Sequence, residues 1–176
     1  MFRDNSLVPT EAVRLAALGL LAEAPRRYGD LAGEIRHFTA RIVGPSLDLM
    51  GTSLELLRYE GLIEAVDGQG TTDNALLRLT PRGGEALSSL LKAQLRPPMS
   101  DMNRLALMLK LRFLHHLPEA DRQGQLALMA ETLDGERRRL DELRQRTEPG
   151  LFRDWLDFDI AVIDDRIAWL RHREGA

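Results

Sequence analysis

Residues 62–79 break the rhythm of a chain that is otherwise patterned for helices. Leu62-Ile63-Glu64-Ala65-Val66 and Leu76-Leu77-Arg78-Leu79 are short aliphatic runs on either side of DGQGTTDNA, a stretch of turn formers. This predicts a β-hairpin. Before it, apolar residues recur at helical spacing three times. In EAVRLAALGLLAEA they are Val13, Ala16, Ala17, Leu20 and Leu21, with Thr10 as the expected N-cap and Pro25 as the stop. Leu31, Ile35 and Phe38 mark a second helix over 28–38. After Gly44-Pro45, Ser46 is the expected N-cap of a third, with Leu47, Met50, Leu54 and Leu57 inward and Gly61 as its left-handed C-cap. Behind the hairpin, Thr80 precedes Pro81, the favoured first residue of a helix. Three helices, a hairpin and a helix are the order of a winged helix-turn-helix.

Pro97-Pro98 cannot continue a helix and divides the chain into residues 1–96 and 97–176. Beyond it the pattern is helical throughout. Residues 99–117 carry Leu105, Met108, Leu109, Phe113 and Leu114 around most of the circumference, which predicts burial on several sides until Pro118. Over 119–147, Leu126, Met129, Leu133, Glu136, Leu140 and Leu143 alternate spacings of three and four, a coiled-coil-like seam interrupted by Glu136. A last helix over 150–172 aligns Phe152, Trp155, Phe158 or Asp159, Val162, Ile163, Arg166, Trp169 and Leu170. The fold class expected is mainly α, a winged helix-turn-helix followed by a helical dimerisation region.

With 176 residues, 44% of them hydrophobic, the chain can bury a core unaided. It has no cysteine, which excludes disulfides and thiolate metal sites and fits a cytoplasmic protein. No apolar run approaches the ~20 residues that span a bilayer, so no membrane partner is expected. A catalytic constellation is also missing. His115 and His116 are neighbours, pointing about 100° apart on a helix, unlike a metal-binding i, i+4 pair. Gly68-Gln69-Gly70 is too short to cradle a phosphate. Asp157, Asp159, Asp164 and Asp165 read as a solvated face. No enzyme activity, metal or cofactor is expected.

LAALGLLAEAPRRYGDLAGEI, LRYEGLIEAV and LRLTPRGGEAL resemble, in that order, the first two helices, the recognition helix running into the wing, and the return strand with fourth helix of the PadR family of transcription regulators. LKLRFLHHLP, the heptad-bearing helix and a final helix ending AWL resemble that family's helical dimerisation region, so the resemblance covers nearly the whole chain. Two departures stand out: Gly51 occupies the place of a usual recognition-helix tyrosine, and the Gly-Tyr pair of helix two appears reversed as Tyr28-Gly29. RRYGDLAGEIRHF is also similar to the HxlR winged-helix family, whose N-terminal cysteine is absent here. The PadR resemblance implies a homodimeric repressor of double-stranded DNA, relieved by a small aromatic or cationic effector near the dimer interface.

On that reading the base-contacting candidates are Ser46, Asp48, Leu49, Thr52 and Ser53, at the start and outer face of the third helix. Asp48 has an equally good role as a first-turn acid favouring the helix dipole. Arg26, Arg27, Arg36 and Arg41, with Tyr28 among them, surround helix two as phosphate contacts, each with the alternative of pairing to a nearby acid. Gln69, Thr71 and Thr72 in the wing, with Arg78 at its base, complete the set. Leu126, Met129, Leu133, Leu140, Leu143, Phe152, Val162 and Trp169 are the dimerisation candidates. Trp155 and Trp169, on one helix face, are either interface core or walls of an effector pocket. Residues 1–96 hold 11 basic and 12 acidic side chains, in a chain of net charge -3. That lacks the positive field that supplies non-specific DNA affinity and keeps a second reading open, a protein-interaction module on a winged-helix scaffold.

Overall fold

The computed structural model describes residues 7, 9–44, 50–66, 74–95 and 99–174. Among them the order is α1 (Pro9–Glu23), β1 (Arg26–Arg27), α2 (Tyr28–Ile42), α3 (Met50–Tyr59), β2 (Ile63–Ala65), β3 (Leu76–Leu79) and α4 (Pro81–Lys92). Then follow α5 (Asp101–Phe113), a 3-10 turn over Leu114–His116, α6 (Glu119–Gln145) and α7 (Leu151–Glu174). This is a mainly helical winged helix-turn-helix with helical additions.

The sheet is antiparallel, in the order β1-β3-β2. Ile63 pairs with Leu79, Glu64 with Arg78 and Ala65 with Leu77, as the hairpin pattern predicts. β1 was not expected: two arginines pair with Leu77 and Leu76 through backbone alone, which leaves no side-chain pattern to read. Gly61, at φ +70°, closes α3. Leu62 N donates to Leu57 O and Gly61 N to Arg58 O, both at 2.9 Å, the bond pair of a Schellman C-cap. Thr80 Oγ1 accepts from Gly83 N at 3.0 Å and caps α4 as predicted, while also donating toward Gly61 O and Leu62 O. In the first two helices the boundaries differ from expectation. α1 begins at Pro9, where a proline suits the first turn, so Thr10 lies inside it and is not its N-cap. α2 runs four residues past Phe38, its hydrogen bonds continuing through Thr39, whose buried hydroxyl donates to Ile35 O at 2.9 Å.

α1 is the central post. Ala12, Leu15 and Leu18 are buried as well as the expected stripe, because α5 covers the side that a winged helix alone would leave open. Gly19 permits this approach: a Cβ there would sit 2.5 Å from the Phe113 ring. α5 is shorter than 99–117, starting at Asp101 after its N-cap Ser100, and Met108 on it is 38% exposed, so it is not covered all round.

α6 and α7 form an antiparallel pair, as Arg137–Asp164 and Arg144–Asp157 ion pairs show. Leu126, Met129, Ala130 and Leu133 of α6, and Ile163, Ile167 and Leu170 of α7, join the same core cluster as α1. Asp157 and Asp164 are therefore partly engaged by α6, which corrects their reading as a merely solvated face. Glu136, the break in the seam, pairs with Arg139 and accepts from Met99 N at 3.4 Å.

Lys110 is among the largest fully buried side chains, and its ammonium donates to Leu91 O and Ala93 O where α4 ends. Burial lowers its pKa to about 8 from 10.5. Between those values the unfolded chain holds the proton and the folded chain does not, so stability must rise with pH there. Denaturant unfolding from pH 8 to 10.5, compared with Lys110→Met, is expected to show a rise of up to about 3 kcal/mol in the native chain that the variant lacks. A parallel pH profile for the two would contradict it.

Candidate nucleic-acid interface

Of the base-contacting candidates, Ser46, Asp48 and Leu49 lie outside the described residues, as do Gln69, Thr71 and Thr72 in the wing. Thr52 and Ser53 fall in the first turn of α3, and only their backbone is described. α3 is seated by Leu54 and Leu57, both fully buried, and turns Glu55, Leu56 and Tyr59 outward, with Tyr59 90% exposed.

The arginines divide into two groups. Arg26 is a strut: Nη1 donates to Glu34 at 2.7 Å, Nη2 to Glu23 at 3.2 Å and Nε to Leu20 O at 3.3 Å. Arg78 pairs with Glu64 at 2.6 Å across the hairpin, their registered partner positions. Arg27 donates to Asn74 O at 2.5 Å and so braces the base of the wing. Arg36 and Arg41 are exposed on α2 and make no ion pair among the described residues. Of the candidate arginines, these two are left free for a phosphate among the described residues. Tyr28 is half-buried against the core, its N–H donating to Ala75 O at 2.9 Å.

Two long-range ties hold the helix-turn-helix in place. The Arg112 guanidinium of α5 lies 5.2 Å from the centroids of both the Phe38 and Phe113 rings and donates to Glu34 at 2.8 Å. Glu34 thus joins Arg26 and Arg112 and fixes α2 to α5. Arg14 of α1 grips Glu60 with both terminal guanidinium nitrogens, Nη1 and Nη2, and that hydrogen bonding holds the Glu60 carboxyl below the usual carboxylate range. Each pair is half-exposed and worth no more than about 1 kcal/mol, so their role is orientation. Sequence reading missed both, because partners 78 and 46 residues apart leave no local spacing to notice.

The dimerisation candidates also separate. Leu126, Met129 and Leu133 are 7%, 2% and 4% exposed within one chain, so their seam is filled by the chain's own helices and offers no surface to a partner. Within one chain these three serve as core. Leu140 and Val162 are half-buried, whereas Leu143, Phe152 and Trp169 remain exposed. Trp155 is exposed too, its ring tilted 5.8 Å from that of Phe158. Trp169 lines a cavity of ≈ 480 Å³ with Met108, Leu111, Arg104 and Arg166, and Trp155 is not among its walls, so the two tryptophans do not enclose one pocket there. Leu133→Glu would then unfold the protein by burying a charge, at a cost of about 3–5 kcal/mol, measurable by denaturant titration. A stable variant altered only in subunit association would contradict this placement.

No described helix is long and apolar enough to cross a membrane. A family model for AphA-like transcriptional regulators matches residues 2–173. No curated protein matches the chain. Among solved structures, smu.1604c from Streptococcus mutans UA159 is 17% identical, with 93% of this chain and 98% of that one covered, at a TM-score of 0.40. PadR of Bacillus subtilis in complex with p-coumaric acid is also 17% identical, with 97% of each covered, again at 0.40. At that overlap neither adds to what the family match and the geometry establish.

Proposed function

Since the chain belongs to the AphA-like transcriptional regulators, a PadR-like and non-enzymatic family, we propose that it is a cytoplasmic repressor binding a pseudo-palindromic operator as a homodimer. Residues 1–96 would contact DNA and residues 97–176 would join the subunits. The observation that carries the DNA reading is the free pair Arg36 and Arg41, exposed on α2 while Arg26 and Arg78 are held by carboxylates. Ser46, Asp48, Leu49, Thr52 and Ser53 remain the proposed base contacts, and Gln69, Thr71 and Thr72 the proposed wing contacts. The exposed face of α7 is the proposed subunit contact. An aromatic effector fits the ≈ 480 Å³ cavity beside Trp169 better than a cationic one, because its walls are mostly apolar and its charged lining, Arg104 and Arg166 against Asp165, is on balance positive.

The test is fluorescence anisotropy with duplex DNA from upstream of the protein's own gene. Arg36→Ala/Arg41→Ala is expected to weaken binding, lowering the log–log salt slope by about 1 for each phosphate contact removed. An unchanged slope would remove these arginines from the interface. The protein-interaction reading draws support from the carboxylates that hold Arg14, Arg26 and Arg78. Absence of salt-sensitive binding at micromolar protein would favour it.

A further inference from the structure

Lys110 is 1% exposed and has no carboxylate beside it among the described residues. Two of its three ammonium hydrogens go to Leu91 O and Ala93 O, and the third has no acceptor there. The same residue lines a second cavity, of ≈ 210 Å³, between the end of α4 and helices α5 and α6. Gln125, 7% exposed, lines it too and makes no side-chain hydrogen bond among the described residues. A mostly buried glutamine and a buried cation thus border one small space.

The other walls narrow the occupant. Glu131 is exposed, borders the cavity and makes no ion pair among the described residues. Leu128 and Met129 supply an aliphatic side. The volume is below the roughly 300–1,000 Å³ typical of drug-sized ligands. Donors at the buried side call for an anionic acceptor, and the acid at the exposed side disfavours a dianion while suiting a cation. We propose that this cavity binds a small amino acid, its carboxylate accepting from Lys110 and Gln125 and its ammonium facing Glu131.

Thermal unfolding of the full chain with each common amino acid at millimolar concentration tests this, with acetate and methylammonium run separately. At least one amino acid is expected to raise Tm by about 3 °C or more, with neither half-molecule matching it. Gln125→Leu should fold normally, since the Gln125 amide makes no hydrogen bond among the described residues and leucine has a similar volume, and should lose the shift. Lys110→Met should lose it as well. No shift with any amino acid, a shift that survives in Gln125→Leu, or one reproduced in full by acetate would overturn the assignment.

Discussion

Trp155→Glu/Phe158→Glu is expected to yield a folded monomer whose operator affinity is at least about 100-fold weaker than that of the native chain. Leu151, Trp155, Phe158 and Trp169 are 89%, 61%, 59% and 49% exposed, and with Val162 they lie on one side of α7. Its other side is spent on packing through Leu156, Ile163, Ile167 and Leu170. An aromatic side chain can bury some 150–250 Å², so a surface of this kind held in water forgoes several kcal/mol that a second copy would recover. Two charges placed there would be desolvated in the dimer and comfortable in the monomer. The chain should still fold, because neither side chain belongs to the core. The affinity loss follows because a lone subunit keeps one half-site's contacts and makes half the phosphate contacts. Sedimentation velocity and anisotropy check the two halves of the prediction. A dimer that persists in the double variant would remove α7 from the interface.

Gly83→Ala is expected to destabilise the protein by at least about 3 kcal/mol, against the direction of helix propensity. A Cβ at Gly83 would stand 2.1 Å from Leu62 O. That oxygen cannot retreat cheaply, since it accepts from Thr80 N at 3.1 Å and Thr80 Oγ1 at 3.0 Å. Moving it would loosen the α4 cap and the start of the wing together. Gly84→Ala is the internal control, with open space around its Cβ. There the substitution should stabilise by up to about 1 kcal/mol. Denaturant unfolding of both variants reads the contrast, and a Gly83→Ala protein as stable as Gly84→Ala would refute the packing of α4 on the hairpin.

The winged helix was legible because its punctuation is local. Gly61, the Thr80-Pro81 step and the turn-rich segment between two aliphatic runs each declare themselves within a few residues. What the sequence concealed was ownership. The seam of Leu126, Met129 and Leu133 says that something apolar must cover it, and nothing in a heptad says whether the cover comes from the same chain or another. Here it comes from the same chain, while the surface left exposed is the aromatic side of α7. The arginines concealed the same distinction. Arg26 and Arg36 look alike in sequence, yet Arg26 is fixed by Glu34, itself held by Arg112 from α5, and Arg36 makes no ion pair among the described residues. Lys110 gave no warning of its burial, since a lysine between two leucines on a helix usually faces water. Of the base-reading candidates, only Thr52 and Ser53 fall among the described residues, at backbone level.

Two copies of this chain are expected to present their α3 helices together to one duplex. Analytical ultracentrifugation of the protein with its own upstream DNA measures this as the mass of the complex. Two 19.8 kDa chains per duplex, assembling at micromolar protein and dissociating as salt is raised, is the predicted result. One chain per duplex, or no complex at low salt, would contradict it.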